Sequence, residues 1–439
     1  MHDVLDPRDL VPDEAEQLAL SGFPVGSLLS AARRAANASD LSSLRTISEK
    51  LGALSRADGW KYDEPDDEQV LVRQLAQVPP IPHDLASLDG RIAGAWLGRT
   101  VGNTMGKPVE GLTRTEVEVY LRAAGQWPQR GYLPLLDPLP PGVASLHPSA
   151  PYSCAGRFET VPRDDDIDWT ILALHLLETH GPSLTTEHIA AAWLDRVPFT
   201  QTYTAERAAY RNLIHGYRPP RTATVDNPYR EWIGALIRAD AFGYVLPGRP
   251  GQAARLALTD ARLSHTANGL YGELWSAALT SAALAVDTVR AALHSALEVV
   301  PPGSRLAEAV ATTLSLHGTG CTVEEALDWV DAALGGYPWV HTINNAALIA
   351  IGLLWGQDFT DAIAITISGG RDTDSNAATV GSVFGALHGA DSIPAALVGT
   401  THVRVRSAVR DFDGIRISEL AERALTVARR FADRSAFPA

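Results

Sequence analysis

The sequence predicts an all-α protein, with many helices packed around a centre rich in small residues. Three observations predict it. From residue 184 onward, apolar residues recur at helical spacing in one segment after another, with short breaks between. Strand signals are scarce, because Val, Ile and Thr alternate only briefly and are rarely bounded by hairpin turns. Gly94, Gly98 and Gly102 recur at every fourth position of an apolar run, giving a face that lets a second helix approach closely.

Residues 1–82 read as an N-terminal helical extension packed on the core, and 83–439 as the main domain. Pro12-Asp13-Glu14-Ala15-Glu16 starts a helix with acids in its first turn. Leu28, Leu29, Ala32, Ala35 and Ala36 mark a second, and a third runs from about Leu41 to Leu54. The acidic run Asp63 to Glu68, interrupted by Pro65, reads as a solvated turn and helix start. Pro79-Pro80-Ile81-Pro82 punctuates the chain. The apolar Leu88–Val101 helix ends in the turn Gly102 to Gly111, which carries Glu110 on a Pro- and Gly-bounded loop. Such a loop suits a functional carboxylate as well as a solvated one. Residues 127–162 form a long Pro-, Gly- and aromatic-rich loop, of the kind used as a lid or binding loop. Further helices are expected at 186–196, 204–214, 228–242, 250–261, 269–285, 287–298, 304–316, 322–334, 343–355, 358–367, 375–388, 391–399 and 417–433.

Composition narrows the function. With 439 residues, 46% hydrophobic and 20% charged, the chain can bury a large core. A net charge of −14 argues against sequence-specific nucleic-acid binding, which needs a basic surface. Two cysteines, Cys154 and Cys321, form no zinc motif and read as reduced thiols of a cytoplasmic protein. The first residues lack the basic and apolar regions of a signal peptide, and no run of about 18 apolar residues spans a membrane.

Chemistry concentrates in two acidic clusters about 200 residues apart, each at a loop-to-helix junction. The first, Asp164-Asp165-Asp166, has more acid than a helix cap requires, and its repulsion calls for compensation. The second holds Asp372, Asp374 and Ser375 at a glycine-flanked turn, before a helix rich in small residues. Each can be read as an acidic first turn favoured by the helix dipole. Facing one another, they offer five carboxylates and a hydroxyl, oxygen ligands suited to one or two Mg²⁺ or Mn²⁺ ions. No paired His or Cys stands nearby to suggest zinc.

Three stretches, Gly94 to Gly111, Asp164 to Thr170 and Gly369 to Ala378, together resemble the ADP-ribosylglycohydrolase family, which includes the dinitrogenase-reductase-activating glycohydrolase. The resemblance spans roughly residues 85 to 400. It implies an all-α bundle around a binuclear Mg or Mn centre, and cleavage of the bond to C1 of an ADP-ribose. It further implies that Asp164, Asp165, Asp166, Asp372, Asp374 and Ser375 are metal ligands, and that Glu110 is the catalytic loop acid. The chain departs from the pattern in four places: Asp164 replaces a Thr, Asn103 an Asp and Ser375 a Thr, and Arg371 is inserted after Gly370. The departures, with the stretches Asn227 to Gly234 and Ser264 to Glu273, resemble a divergent subgroup.

The mechanism this implies has a carboxylate activating water against an oxocarbenium-like centre, Glu110 first and Asp165 or Asp166 second. Asn103, Trp169, His265 and Asn376 are assigned to the substrate, Trp169 as pocket floor. A lone His is more often a hydrogen-bonded structural residue, the alternative for His265, and Asn376 reads as a brace for Asp374 before a substrate contact. Tyr229 and Trp232 read as packing residues, and Arg371 either offsets the acids or meets a phosphate. The expected substrate is ADP-ribosylated or ribosylated, and the expected assembly a monomer or small homo-oligomer. Hydrolysis of a small N- or O-riboside and an inactive metal-binding role are the alternatives.

Overall fold

The computed structural model describes residues 5–82 and 87–432. Residue 83, where the main domain was drawn to begin, lies outside the described residues, as do the ends 1–4 and 433–439. Regular structure is helical throughout, and among the described residues no strand forms beyond isolated bridges such as Val161 with Val405.

The glycine face is the axis of the fold. The helix Leu88–Gly106 packs antiparallel on the helix Thr373–His388, glycine against small residue, for four turns. A Cβ at Gly94 would stand 2.4 Å from the carbonyl oxygen of Gly385. At Gly98 it would stand 2.1 Å from that of Gly381, at Gly102 2.0 Å from Ala377, and at Gly106 2.2 Å from Thr373. No side chain fits at those separations, so the two backbones touch directly. The pairing has a consequence for the site. Being antiparallel, it sets the C-terminal end of the first helix, from Gly102 on, beside the N-terminal end of the second, where Asp372 to Ser375 stand.

Other helices enclose this pair. Ala267–Ala283 is buried along its whole length, and Thr342–Trp355 along all but its last residue. Outer helices are amphipathic: Ile417–Ala432 buries Ile417, Leu420, Ala424 and Phe431 and turns Arg429 and Arg430 outward. Most expected helices lie within two residues of their predicted limits. Two do not. The segment 228–242 is split into Gly234–Ile237 and Asp240–Tyr244. Its backbone bonds across the fold instead of along a helix, Ile233 N donating to Val340 O (2.9 Å) and Thr342 N to Glu231 O (3.2 Å). The segment 391–399 is broken at Pro394, which cannot continue a helix, into Ala390–Ser392 and Ala395–Val398.

The first three helices, Pro7–Leu20, Leu28–Asn37 and Leu41–Gly52, share a small core of their own built from Val11, Ala15, Leu18, Leu44 and Leu51. Leu71 and Leu75 of the next helix join the main core. Between them lies the acidic run, and here the expectation of a solvated turn is corrected. Glu64 has no side-chain exposure; it takes Arg305 Nε at 2.8 Å and Nη2 at 2.9 Å, and Asn268 Nδ2 at 2.8 Å. Arg305 also meets Glu231 at 2.7 Å, and Glu231 accepts from Gln17 (2.7 Å) and Ser21 (2.9 Å). A buried charge is tolerated only when paired, so Glu64 is a clasp between the extension and the body, while Asp67 caps the helix Glu68–Leu75 as the helix start expected there.

Candidate metal centre

The close approach of the two axial helices brings both acidic clusters and the Glu110 loop together. Asp164 is the N-cap of the helix Asp165–His180 and accepts from the Asp166 backbone N–H at 3.0 Å. Asp372 occupies the N-cap position of Thr373–His388, and Asp374 accepts from Ser375 N at 3.0 Å. Carboxylate oxygens then fall into two sets, each within 4.8 Å of one another: Glu110, Asp372 and Asp374, and Asp164, Asp166 and Asp374. Asp374 belongs to both. Asp165 belongs to neither. Ser375 Oγ reaches Asp166 Oδ2 at 3.4 Å.

The surroundings orient these oxygens. Asn103 Nδ2 donates to Asp166 Oδ2 at 2.8 Å, so this amide, assigned from sequence to the substrate, braces an acid. Arg99, fully buried, donates from Nε (3.0 Å) and Nη2 (2.8 Å) to the Asp166 carbonyl and pairs with Asp240 at 2.8 Å. It thereby fixes the first turn of the acidic helix. Lys107, one turn before Glu110, pairs with Asp164 and lies 3.5 Å from Asp374 Oδ2. The loop 127–162 returns over the site, and His147 Nδ1 lies 3.1 Å from Glu110 Oε2. Sequence reasoning missed these cations and this histidine. An arginine inside an apolar small-residue helix was the one available signal; Lys107 and His147 had none beyond standing in functional loops.

Five carboxylates therefore gather around one ammonium, that of Lys107. Burial, and next the neighbouring charge of Asp374, pushes the Glu110 and Asp372 carboxyls well above their usual range. The same causes push Asp166 up to about 8. Such a cluster must take up protons or cations to be stable. Asp166 Oδ1 is buried with no hydrogen-bond partner among the described residues, in the middle of an all-oxygen donor set. That set fits a hard divalent cation and can hold a metal ion.

Several expected residues lie elsewhere. Asp168, next in the acidic run, is taken by Arg163 (2.7 Å), Ser407 (2.6 Å) and Ala408 N (3.1 Å), tying the C-terminal segment down. Trp169 is buried against Trp193, ring centroids 4.7 Å apart, inside the core. His265 is buried beside Ser264 (Nδ1 to Oγ 2.8 Å) in a network centred on Arg238, Glu206 and Asp260. Asn376 donates to Asn345 Oδ1 at 2.7 Å. Tyr229 and Trp232 pack on each other, centroids 4.7 Å apart, and the Tyr229 hydroxyl reaches Asp13 of the extension. Arg371 turns away from the acids. Its guanidinium pairs with Asp331 at 2.6 Å, while its backbone exchanges hydrogen bonds with the Glu110 loop, N to Leu112 O (2.8 Å) and O from Gly111 N (2.9 Å). Its φ of +67 is the left-handed turn this exchange requires.

No helix among the described residues is long and apolar enough to cross a membrane. A comparison with curated proteins found no match. Among solved structures, an ADP-ribosylglycohydrolase-related protein complex is 20% identical, covering 79% of this chain and 99% of its own, with a TM-score of 0.42. A family model described as ADP-ribosylglycohydrolase matches residues 84–434.

Proposed function

This chain belongs to the ADP-ribosylglycohydrolase family, and on that premise we propose that its acidic cluster is the centre of a metal-dependent glycohydrolase. The bond cut is the glycosidic bond at C1 of a ribose, that of an ADP-ribosyl group before that of a small riboside. The observation that carries the reading is the sharing of Asp374 between two carboxylate sets, one of which contains Glu110.

In this reading Asp164, Asp166, Asp372, Asp374 and Ser375 hold two divalent cations, Mg²⁺ or Mn²⁺. When bound, they supply Lewis-acid stabilisation of charge developing at the reacting bond. The protein's own groups do the rest. Glu110, half-buried beside Asp374, takes the proton of the attacking water, and His147 fixes which way its carboxylate points. Asn103 and Arg99 hold Asp166, one through its carboxylate and the other through its carbonyl, so the site is shaped before substrate arrives. Leaving-group departure gives an oxocarbenium-like sugar, which surrounding carboxylates favour electrostatically, and the proton Glu110 takes from the water ends on the leaving group.

A substrate screen tests this. ADP-ribosyl-arginine, ADP-ribosyl-serine and free ribosides are incubated with the protein and Mg²⁺ or Mn²⁺, beside an Asp372→Ala control. Release of ADP-ribose or ribose by the wild type alone supports the reading. No sugar from any of them, or equal release by the control, refutes it.

A further inference from the structure

Trp339 stands apart from the other tryptophans by position and exposure. Its side chain is 42% exposed, where a residue of this size is ordinarily covered. The edge of its indole, Cη2 and Cζ2, lies 3.8 Å from where a Cβ would stand on Gly111, the residue after Glu110. Gly111 has φ +81 and no side chain, so the ring edge meets bare backbone at the residue beside Glu110. Tyr337 and His341, its nearest aromatic neighbours in sequence, pair with each other at 4.5 Å.

The segment carrying it is held with unusual firmness for a surface loop. Asn345 Nδ2 donates to the carbonyls of Trp339 (2.8 Å) and His341 (2.9 Å), and Asn344 Nδ2 to that of Pro338 (3.0 Å). Val340 O accepts from Ile233 N at 2.9 Å. Asn345 in turn accepts from Asn376, the residue after Ser375. Two amides thus link the tryptophan's backbone to the helix that carries Asp374. Tying the backbone that carries an exposed aromatic ring to the helix that carries the acids has little use for stability; it suits recognition.

We propose that Trp339 is a substrate-binding residue on which an aromatic leaving group at the ribose C1 stacks, so that this site prefers aryl over alkyl aglycones. The ring edge stands against Gly111, the residue that follows Glu110, which puts it on the loop-acid side of the site rather than at the far end of a nucleotide. Its place is therefore the leaving-group side of the scissile bond. The proposal rests on the glycohydrolase reading and names its substrate class.

Equilibrium binding tests it without turnover. The probes are the 4-nitrophenyl and methyl glycosides of ADP-ribose, titrated calorimetrically with Mg²⁺ into Glu110→Gln, Glu110→Gln/Trp339→Ala and Glu110→Gln/Trp339→Phe. The aryl glycoside is expected to bind the single variant about tenfold tighter than the methyl one, as aromatic stacking commonly gives. Trp339→Ala should abolish that preference and Trp339→Phe should keep most of it. An aryl-to-methyl ratio that does not change with Trp339, or no binding of either probe, overturns the proposal. If the ratio changes as stated while the wild type releases sugar from neither probe, the stacking site stands and the glycohydrolase reading falls.

Discussion

His147 Nδ1 lies 3.1 Å from Oε2 of Glu110 and 2.7 Å from the hydroxyl of Ser149, so one loop histidine joins the 127–162 strap to the loop acid. Replacing His147 by Ala frees the Glu110 carboxylate to rotate. The expected outcome is a fall in kcat of about tenfold with Mn²⁺ stoichiometry unchanged, partly restored by His147→Asn, which keeps a donor. Glu110→Gln should lower kcat by about a hundredfold or more, as loss of a general base does. Steady-state kinetics beside a metal titration checks both. Equal turnover in Glu110→Gln would remove that residue from its role.

The glycine contact predicts a split between two alanine substitutions in one helix. At Gly98 a Cβ would stand 2.1 Å from the Gly381 carbonyl, whereas at Gly90 it would meet nothing within 4 Å. Gly98→Ala must push the axial helices apart, at a cost of about 3 kcal/mol or more. It should also weaken metal binding, because the displaced helix leads into Asn103 and Glu110. Gly90→Ala should be neutral or stabilise by up to about 1 kcal/mol. Denaturant unfolding of both variants gives the comparison.

These contrasts show what was legible in the sequence. The every-fourth-residue glycines announced a close helix pair, and the two acidic clusters announced oxygen ligands, because spacing and residue type are local properties. The compensation of charge was not legible. That Lys107 faces Asp164, that Arg99 holds the Asp166 carbonyl and that Glu64 meets Arg305 depends on contacts between segments far apart in the chain. The acidic run at 63–68 looked solvated because the partner of Glu64, Arg305, stands 241 residues further along the chain. Asn376 and Trp169 could be placed next to the acids but not oriented, since a helix presents neighbouring residues to different sides.

The clasp predicts an acid-sensitive step in stability. Burial pushes the Glu231 carboxyl up, but Arg305, His341, Asn268 and Ser21 outweigh it and hold the group at about 2, below its ordinary 4.5. A carboxyl with a depressed folded-state pKa stabilises fully above its unfolded value. That contribution is lost as pH falls from about 4.5 to about 2, a window set by the cited shift. Its size is on the order of 3 kcal/mol. Glu231→Gln should therefore be less stable than wild type at pH 7, and the gap should close between pH 4.5 and 2. Unfolding midpoints across that range measure it; a gap that stays constant with pH would mean the pair is not what holds the extension.

Asp374 offers the most direct test of the centre as a whole, since it alone belongs to both carboxylate sets. The measurement is an equilibrium Mn²⁺ titration of the wild type, Asp374→Ala and Glu110→Gln, read by the free-ion electron paramagnetic resonance signal. Two ions bound per wild-type chain, none held tightly by Asp374→Ala and both retained by Glu110→Gln is the predicted result. A wild type that binds no Mn²⁺, or an Asp374→Ala chain that still binds two, would contradict a shared two-metal centre at these acids.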